Sequence, residues 1–424
     1  MRTNDAITAI KSNELDFLFE SMYGAEKVDL QRTRYIEAVE RFVELYGEAD
    51  ISLFSVPGRS EISGNHTDHN KGRVIAASID LDIIAVASKR SDEIISVTSK
   101  GFDPDTVGID SLIPRKEEHG NSSALIAGVC DGFLKEGFKI GGYNAYTTSN
   151  VLKGSGLSSS AAFEVMIGNI LNHFYNDSKI ENSRIAMISR YAENVFFGKP
   201  CGLMDQMACA VGGFITIDFA SDEDPKLEKL DFDLDAHGYT LCIVNTGGNH
   251  TDLTDDYAAI PKEMKKVATC FGRSVLGDIT ASEIINRLPE LRRINGDRAV
   301  LRALHFVDEN LRVDEQVEAL KNDDIDSFLR LVIDSGNSSC DLLQNAYSPK
   351  DVEEQGITLA LELSRRFLKD KKAAWRVHGG GFAGTIQAFV PNEAVADYKE
   401  FIEGIFGNGS CHQLRVRQTG AMML

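Results

Sequence analysis

The run Gly154-Ser155-Gly156-Leu157-Ser158-Ser159-Ser160-Ala161-Ala162 constrains this chain more than any other stretch. Its glycines let the backbone turn tightly and approach a ligand. Ser158 is of the type that caps a helix N-terminus. Ala161, Ala162, Val165, Met166 and Ile170 then recur at helical spacing. Tyr143 to Thr148, ahead of the run, reads as a strand. The whole is a glycine-serine loop opening a helix, where unpaired N–H groups and the helix dipole make a seat for phosphate. It is not the common P-loop, which needs a Lys-Ser/Thr pair just inside the helix. Here the nearby lysine, Lys153, precedes the glycines.

At 424 residues the chain is long enough for two domains with proper cores. Its net charge of −19 argues against nucleic acid or an anionic membrane surface as a partner. It leaves room for ATP, which needs only a local positive field. The seven cysteines form no CxxC pair and point to reduced thiols. Asp5, Lys11 and Glu14 stand where a secretory signal would be apolar, and no apolar run is long enough to span a bilayer. The expectation is a soluble cytoplasmic protein, with a monomer favoured.

Periodicity predicts a helix over Val28 to Tyr46, a strand over Ile51 to Val56 broken by Pro57-Gly58, and a polar loop from Arg59 to Asn70. Val74 to Ala87 and Ile94 to Val97 read as strands, Asn121 to Phe133 and Ser183 to Phe197 as helices, and Gly213 to Phe219 as a strand. Charge rises between Ser221 and Asp235, taken as an inter-domain crossing that gives domains of residues 1–236 and 237–424. Beyond it come a strand (Tyr239 to Asn245) and helices near Pro261–Cys270, Arg298–Leu320 and Ile325–Ile333. The end reads strand (Ala374 to Val377), glycine turn, strand (Thr385 to Val390), helix (Asn392 to Ile405) and strand (Leu414 to Arg417). This is an α+β alternation without the repeat of a barrel.

Three further clusters carry chemistry. The first, Gly58-Arg59-Ser60-Glu61-Ile62-Ser63-Gly64-Asn65-His66-Thr67-Asp68-His69-Asn70, is polar almost throughout and lies between two strand-like runs. It is either a solvated turn or a ligand cradle. The second runs from Glu193 to Gln206 and contains Cys201-Gly202-Leu203-Met204-Asp205-Gln206. The third is the turn Arg376-Val377-His378-Gly379-Gly380-Gly381-Phe382-Ala383-Gly384.

With these, the run at Gly154 resembles the ATP loop of the small-metabolite kinases named for galactokinase, homoserine kinase, mevalonate kinase and phosphomevalonate kinase. The first cluster resembles the galactokinase signature Gly-Arg-Val-Asn-Leu-Ile-Gly-Glu-His-Thr-Asp-Tyr-Asn. The second is similar to the galactokinase stretch ending Cys-Gly-Ile-Met-Asp-Gln, and the third to the Gly-Gly-Gly-Phe-Gly-Gly turn. All occur in the family's order. The resemblance implies an N-terminal mixed α/β domain and a C-terminal ferredoxin-like α+β domain, with the active site in the cleft between them. It implies transfer of the γ-phosphoryl of ATP to the anomeric hydroxyl of a galactose-like sugar. Asp205 would be the catalytic acid-base group and Arg59 would hold it ionised. Gly154, Ser155, Gly156, Leu157, Ser158, Ser159 and Ser160 would wrap the ATP phosphates. Ser160 and Glu193 would hold Mg²⁺, a cation that prefers oxygen ligands. Asn65, His66, Asp68, Gly202 and Tyr257 would face the sugar, although a packing role competes for Tyr257.

The chain departs from the pattern where the signature's glutamate becomes Asn65 and its tyrosine becomes His69. An amide carries no charge and can donate as well as accept. Asn65 therefore implies tolerance at C6 of the sugar, up to galacturonate, unless it merely holds the loop. The proline usual before the ATP loop is missing, as are the aromatic residues usual near adenine, where Asn121-Ser122-Ser123-Ala124 stands. A kinase of another sugar, such as galacturonate or N-acetylgalactosamine, and an inactive ATP- and sugar-binding sensor remain the alternatives.

Overall fold

The computed structural model describes residues 1–110, 112–152, 156–221, 225–248 and 253–424. Two sheets organise it. The first holds β1 (Ser52–Ser63), β2 (Arg73–Lys89), β3 (Ile94–Ser99), β4 (Asp105–Gly108), β5 (Tyr143–Ser149), β6 (Phe214–Asp218) and β7 (Lys226–Leu230), with β12 (Met422–Met423) at its edge. Its order is β12-β1-β2-β5-β3-β4. The long β2 pairs with β5 along Ile83 to Lys89 and with β6 along Arg73 to Ala77. Only β3 and β5 run parallel.

The first sheet is covered on both faces, so its strands are apolar almost without alternation. Leu53, Ile84, Val86 and Tyr146 pack against the N-terminal helices, including Val28–Tyr46. Phe54, Val56, Ile83, Ala85 and Ala145 pack against the helices Ser122–Lys135, Ser159–Tyr175, Asn182–Ala192 and Met204–Val211. The second sheet has β8 (Tyr239–Asn245), β9 (Ala374–Val377), β10 (Thr385–Pro391) and β11 (Cys411–Leu414) in the order β11-β8-β10-β9, all antiparallel. Helices follow β8 and β10, which gives the β-α-β-β-α-β plan of a ferredoxin-like unit.

Several expectations need correcting. Pro57-Gly58 does not end β1. The register with β2 slips between Pro57 and Arg59, a bulge that absorbs the proline, and the strand continues to Ser63. Half of the expected polar loop is therefore a buried strand. Between Ser221 and Asp235, Lys226–Leu230 adds to the first sheet through β6. The strand expected over Leu414 to Arg417 is Cys411–Leu414, and Val416 makes an isolated bridge to Ile79. From there the chain returns to the first sheet, where Phe54 pairs with Met423. The helix expected at Pro261 begins at Thr254, with the proline inside it.

Candidate active site

Where β1 passes the start of the Ser159–Tyr175 helix, a Cβ on Gly58 would lie 2.9 Å from the Leu157 carbonyl oxygen. Glycine thus lets the loop lie against the strand, and Arg59 N donates to Leu157 O at 3.1 Å. The Arg59 side chain, 10% exposed, turns to the helix Met204–Val211. Its Nε and Nη2 donate to the two oxygens of Asp205 at 2.8 and 2.6 Å, and its Nη1 donates to Gly156 O. Such a fork-to-carboxylate pair fixes orientation as well as charge. Asp205 sits in the helix's first turn, where the dipole favours an anion.

Ser158 stands at the N-cap position of the Ser159–Tyr175 helix, but its side chain makes no cap hydrogen bond. It adopts a left-handed conformation (φ 61°), and its Oγ donates to Asp205 Oδ2 at 2.6 Å. Burial pushes the Asp205 carboxyl up, but Arg59 and Ser158 outweigh this and hold it below its ordinary value. The carboxylate stays ionised at the junction of two sequence-distant motifs. Gly156, Leu157, Ser159 and Ser160 lie alongside, at the helix N-terminus; Gly154 and Ser155 lie outside the described residues.

Glu193 opens the wide turn Glu193–Phe197 that closes the preceding helix. Its carboxylate is buried, with Ser160 Oγ 3.4 Å and Lys199 Nζ 2.9 Å from Oε1, and Gln206 Nε2 2.7 Å from Oε2. Gln206 also donates to Glu164 Oε2 at 3.2 Å. Glu164 is fully buried, and its Oε1 has no hydrogen-bond partner. Burial and the Glu193 charge push its carboxyl well up. Among the described residues no three His, Cys, Asp or Glu side chains gather as a metal cage. Ser160, Glu193 and Glu164 offer oxygen donors, which suits Mg²⁺, a cation that takes few protein ligands and fills its shell with water and phosphate.

The sugar-signature segment is held from the second sheet. Ser60 Oγ lies 3.1 Å from His378 Nε2, and buried Arg376 donates to Ile62 O at 2.8 Å and to Glu61 Oε1 at 3.3 Å. Asn65 is fully buried. Its Nδ2 donates to Glu61 Oε1 (2.9 Å) and Gly379 O (2.6 Å), and its Oδ1 accepts from Asn345 Nδ2 (2.7 Å). The amide's capacity is spent inside the protein, which supports the loop-holding role over recognition of C6.

His66, also at positive φ (59°), sets its Nε2 3.0 Å from Gly380 O. Burial, with the neighbouring His69, drives its pKa down to about 3, so it stays neutral. Asp68 is half-buried and abuts Gly202, where a Cβ would stand 2.5 Å from Asp68 Oδ2. Tyr257 donates its hydroxyl to Gly381 O at 2.9 Å, and a Cβ on Gly380 would meet its ring at 2.6 Å. A Cβ on Gly381 would likewise meet Asn345, and Gly379 and Gly381 also stand at positive φ.

Beside Ser159 and Ser160 opens a cavity of about 510 Å³, lined among others by Phe102, Phe163, Leu125, Val151 and Lys100. Sequence reasoning missed it, because Phe102 follows β3 and comes from neither the loop nor the helix before it. Glu164 carried a signal that went unread: a carboxylate whose neighbours along the helix, Ala161, Ala162, Val165, Met166, Ile167 and Gly168, are apolar.

The fold and this site define the class. Residues 124–213 match the model of the N-terminal domain of GHMP kinases. The crystal structure of Lactococcus lactis galactokinase complexed with galactose superposes with a TM-score of 0.76, at 21% identity, over 92% of this chain and 100% of that one. A mevalonate kinase from Methanococcus jannaschii superposes with a TM-score of 0.60 at 15% identity, over 87% of this chain and 99% of the other. The fold is that of the GHMP kinases.

Within that class, residues 40–89 match the galactokinase galactose-binding signature. A galactokinase of Actinobacillus pleuropneumoniae serotype 3 is 33% identical over 86% of this chain and 92% of its own length. One from Streptomyces coelicolor is 28% identical over 89% and 94%. The chain belongs to the galactokinase family and is a phosphotransferase. Among the described residues no helix is long and apolar enough to cross a membrane.

Proposed function

We propose that the chain transfers the γ-phosphoryl of ATP to the anomeric hydroxyl of galactose, between a lobe of residues 1–236, which the chain end from Val416 rejoins, and a lobe built on the rest of 237–424. One observation carries this reading: Asp205 is fixed by Arg59 from the sugar-signature strand and by Ser158 from the glycine-serine loop. A base tied to both loops stands where an acceptor hydroxyl and a phosphate donor would meet.

Asp205 accepts or orients the anomeric proton. Arg59 keeps Asp205 ionised, and its fixed guanidinium offsets charge on the transferring group. Gly156 to Ser160 offer helix N-terminal N–H groups and hydroxyls to the phosphates, and Gly154 and Ser155 extend that loop. The cavity beside Phe102 and Phe163 takes the purine. Asp68, His66 and Tyr257 line the sugar pocket around Gly202, and Asn65 shapes it from behind. Ser160 and Glu193 would hold Mg²⁺, with unpartnered Glu164 Oε1 nearby supporting a cation seat. When bound, the ion would offset the negative charge of the phosphates. The seven unpaired thiols support a reducing, cytoplasmic setting.

The test is ADP release against galactose, galacturonate, N-acetylgalactosamine and glucose, with ³¹P NMR of the product. Galactose should give the highest kcat/KM and a phosphate on C1. Turnover with none of them, alongside measurable ATP and galactose binding, would identify a sensor instead.

A further inference from the structure

Lys199 is absent from the functional reading, yet it occupies the proposed metal seat. The helix that carries Glu193 ends at Gly198 (φ 78°), and the chain turns back so that Lys199 N donates to Glu193 O at 3.1 Å. This folds the Lys199 side chain over the carboxylate, with Nζ 2.9 Å from Oε1. The Ser160 hydroxyl faces the same oxygen at 3.4 Å, while Oε2 is taken by Gln206. A cation shared by Ser160 and Glu193 must therefore take the oxygen that the ammonium holds.

The two partners differ in freedom. The Glu193 side chain is 3% exposed and that of Lys199 is 60% exposed. A buried carboxylate without a counter-charge is costly, and Glu164, beside it, has an oxygen with no partner. The lysine can swing into water on its long stem, whereas the carboxylate cannot.

Resting on the reading that Glu193 is a metal ligand, we infer that Lys199 is a displaceable counter-cation. It neutralises Glu193 when no divalent ion is bound, and it must leave Oε1 for one to enter. It acts through Glu193 and is a positioning residue, not a catalytic one. The consequence is a seat that binds free metal poorly, so that the metal enters with the nucleotide.

The experiment titrates Mn²⁺ alone, without nucleotide, by calorimetry and by EPR of the free ion. It uses the full chain as wild type, Lys199→Met, Lys199→Arg, Glu193→Gln and the Lys199→Met/Glu193→Gln double variant. Lys199→Met should bind Mn²⁺ about 3- to 10-fold more tightly, a modest gain because the lysine is largely exposed. Lys199→Arg should stay near wild type, and Glu193→Gln should weaken binding in both backgrounds. Without metal, the Lys199→Met melting midpoint should fall, and Mn²⁺ should raise it further than in wild type. Equal or weaker Mn²⁺ binding by Lys199→Met, with Glu193→Gln still impaired, overturns the inference alone. Unchanged binding by Glu193→Gln overturns the metal-ligand reading beneath it.

Discussion

Replacing Asp205 with Asn tests the centre of the site at nearly constant shape. The carboxylate accepts three hydrogen bonds, at 2.8 and 2.6 Å from Arg59 and 2.6 Å from Ser158. An amide offers one oxygen and two donors. It can keep one Arg59 bond, but its NH₂ then faces either the guanidinium or the serine hydroxyl, which must turn to accept. The Asp205 side chain is 31% exposed, so the lost ionic bond should cost about 1.5 kcal/mol of stability, the low end for hydrogen bonds to charged groups. The effect on turnover should be larger. Losing a positioned base lowers the rate roughly 100-fold or more, about 2.7 kcal/mol or above at 1.36 kcal/mol per decade. Coupled ADP release at saturating ATP and galactose measures kcat, calorimetry measures ATP affinity, and urea melts measure stability. ATP binding should be nearly intact, because the substitution leaves the proposed phosphate loop, Gly156 to Ser160, in place. A kcat within threefold of wild type would refute the base assignment. Increased stability would refute the view that the Arg59 fork is satisfied by this carboxylate.

Gly202→Ala should raise KM for galactose several-fold and leave KM for ATP unchanged, since its Cβ would meet Asp68 Oδ2 at 2.5 Å; steady-state kinetics with each substrate varied checks this. Asn65→Glu should destabilise the fold by about 2 kcal/mol in urea melts, because it sets a second carboxylate beside buried Glu61 and removes donors to Glu61 and Gly379. The ratio of kcat/KM for galactose over galacturonate should stay within twofold, whereas a residue that reads C6 would shift it toward galactose. Burial lowers the pKa of both His66 and His378 to about 3, so below pH 6.5 the unfolded chain binds protons that the folded chain refuses. Stability from these groups is complete above pH 6.5 and falls as the pH drops toward 3; urea melts at pH 7, 6 and 5 should show the decline, and His378→Gln should flatten it. Phe102→Ala should raise KM for ATP about threefold with kcat unchanged, as expected of a residue that only lines the purine cavity.

The sequence determined a great deal without help. Elements whose signal is local were legible: the helix Val28–Tyr46 matches to the residue, and β8 spans the expected Tyr239–Asn245. Family motifs were legible too, because each is a short string whose residue types and spacing survive without knowledge of their neighbours. Tertiary structure decided everything that depends on a partner far along the chain. Pro57 and the polar residues after it looked like a loop, because no local rule shows that Arg376, Gln387 and His378 satisfy buried Glu61, Ser60 and the Ile62 carbonyl from more than 300 residues away. Ser158 looked like a cap, and only the arrival of Asp205 makes its hydroxyl a clamp on that carboxylate. Asn65 looked like a specificity residue until its amide was met on both sides by Glu61, Gly379 and Asn345. Propensity and motif are properties of a segment, whereas hydrogen-bond satisfaction and the field at a carboxylate are properties of what the fold packs against it.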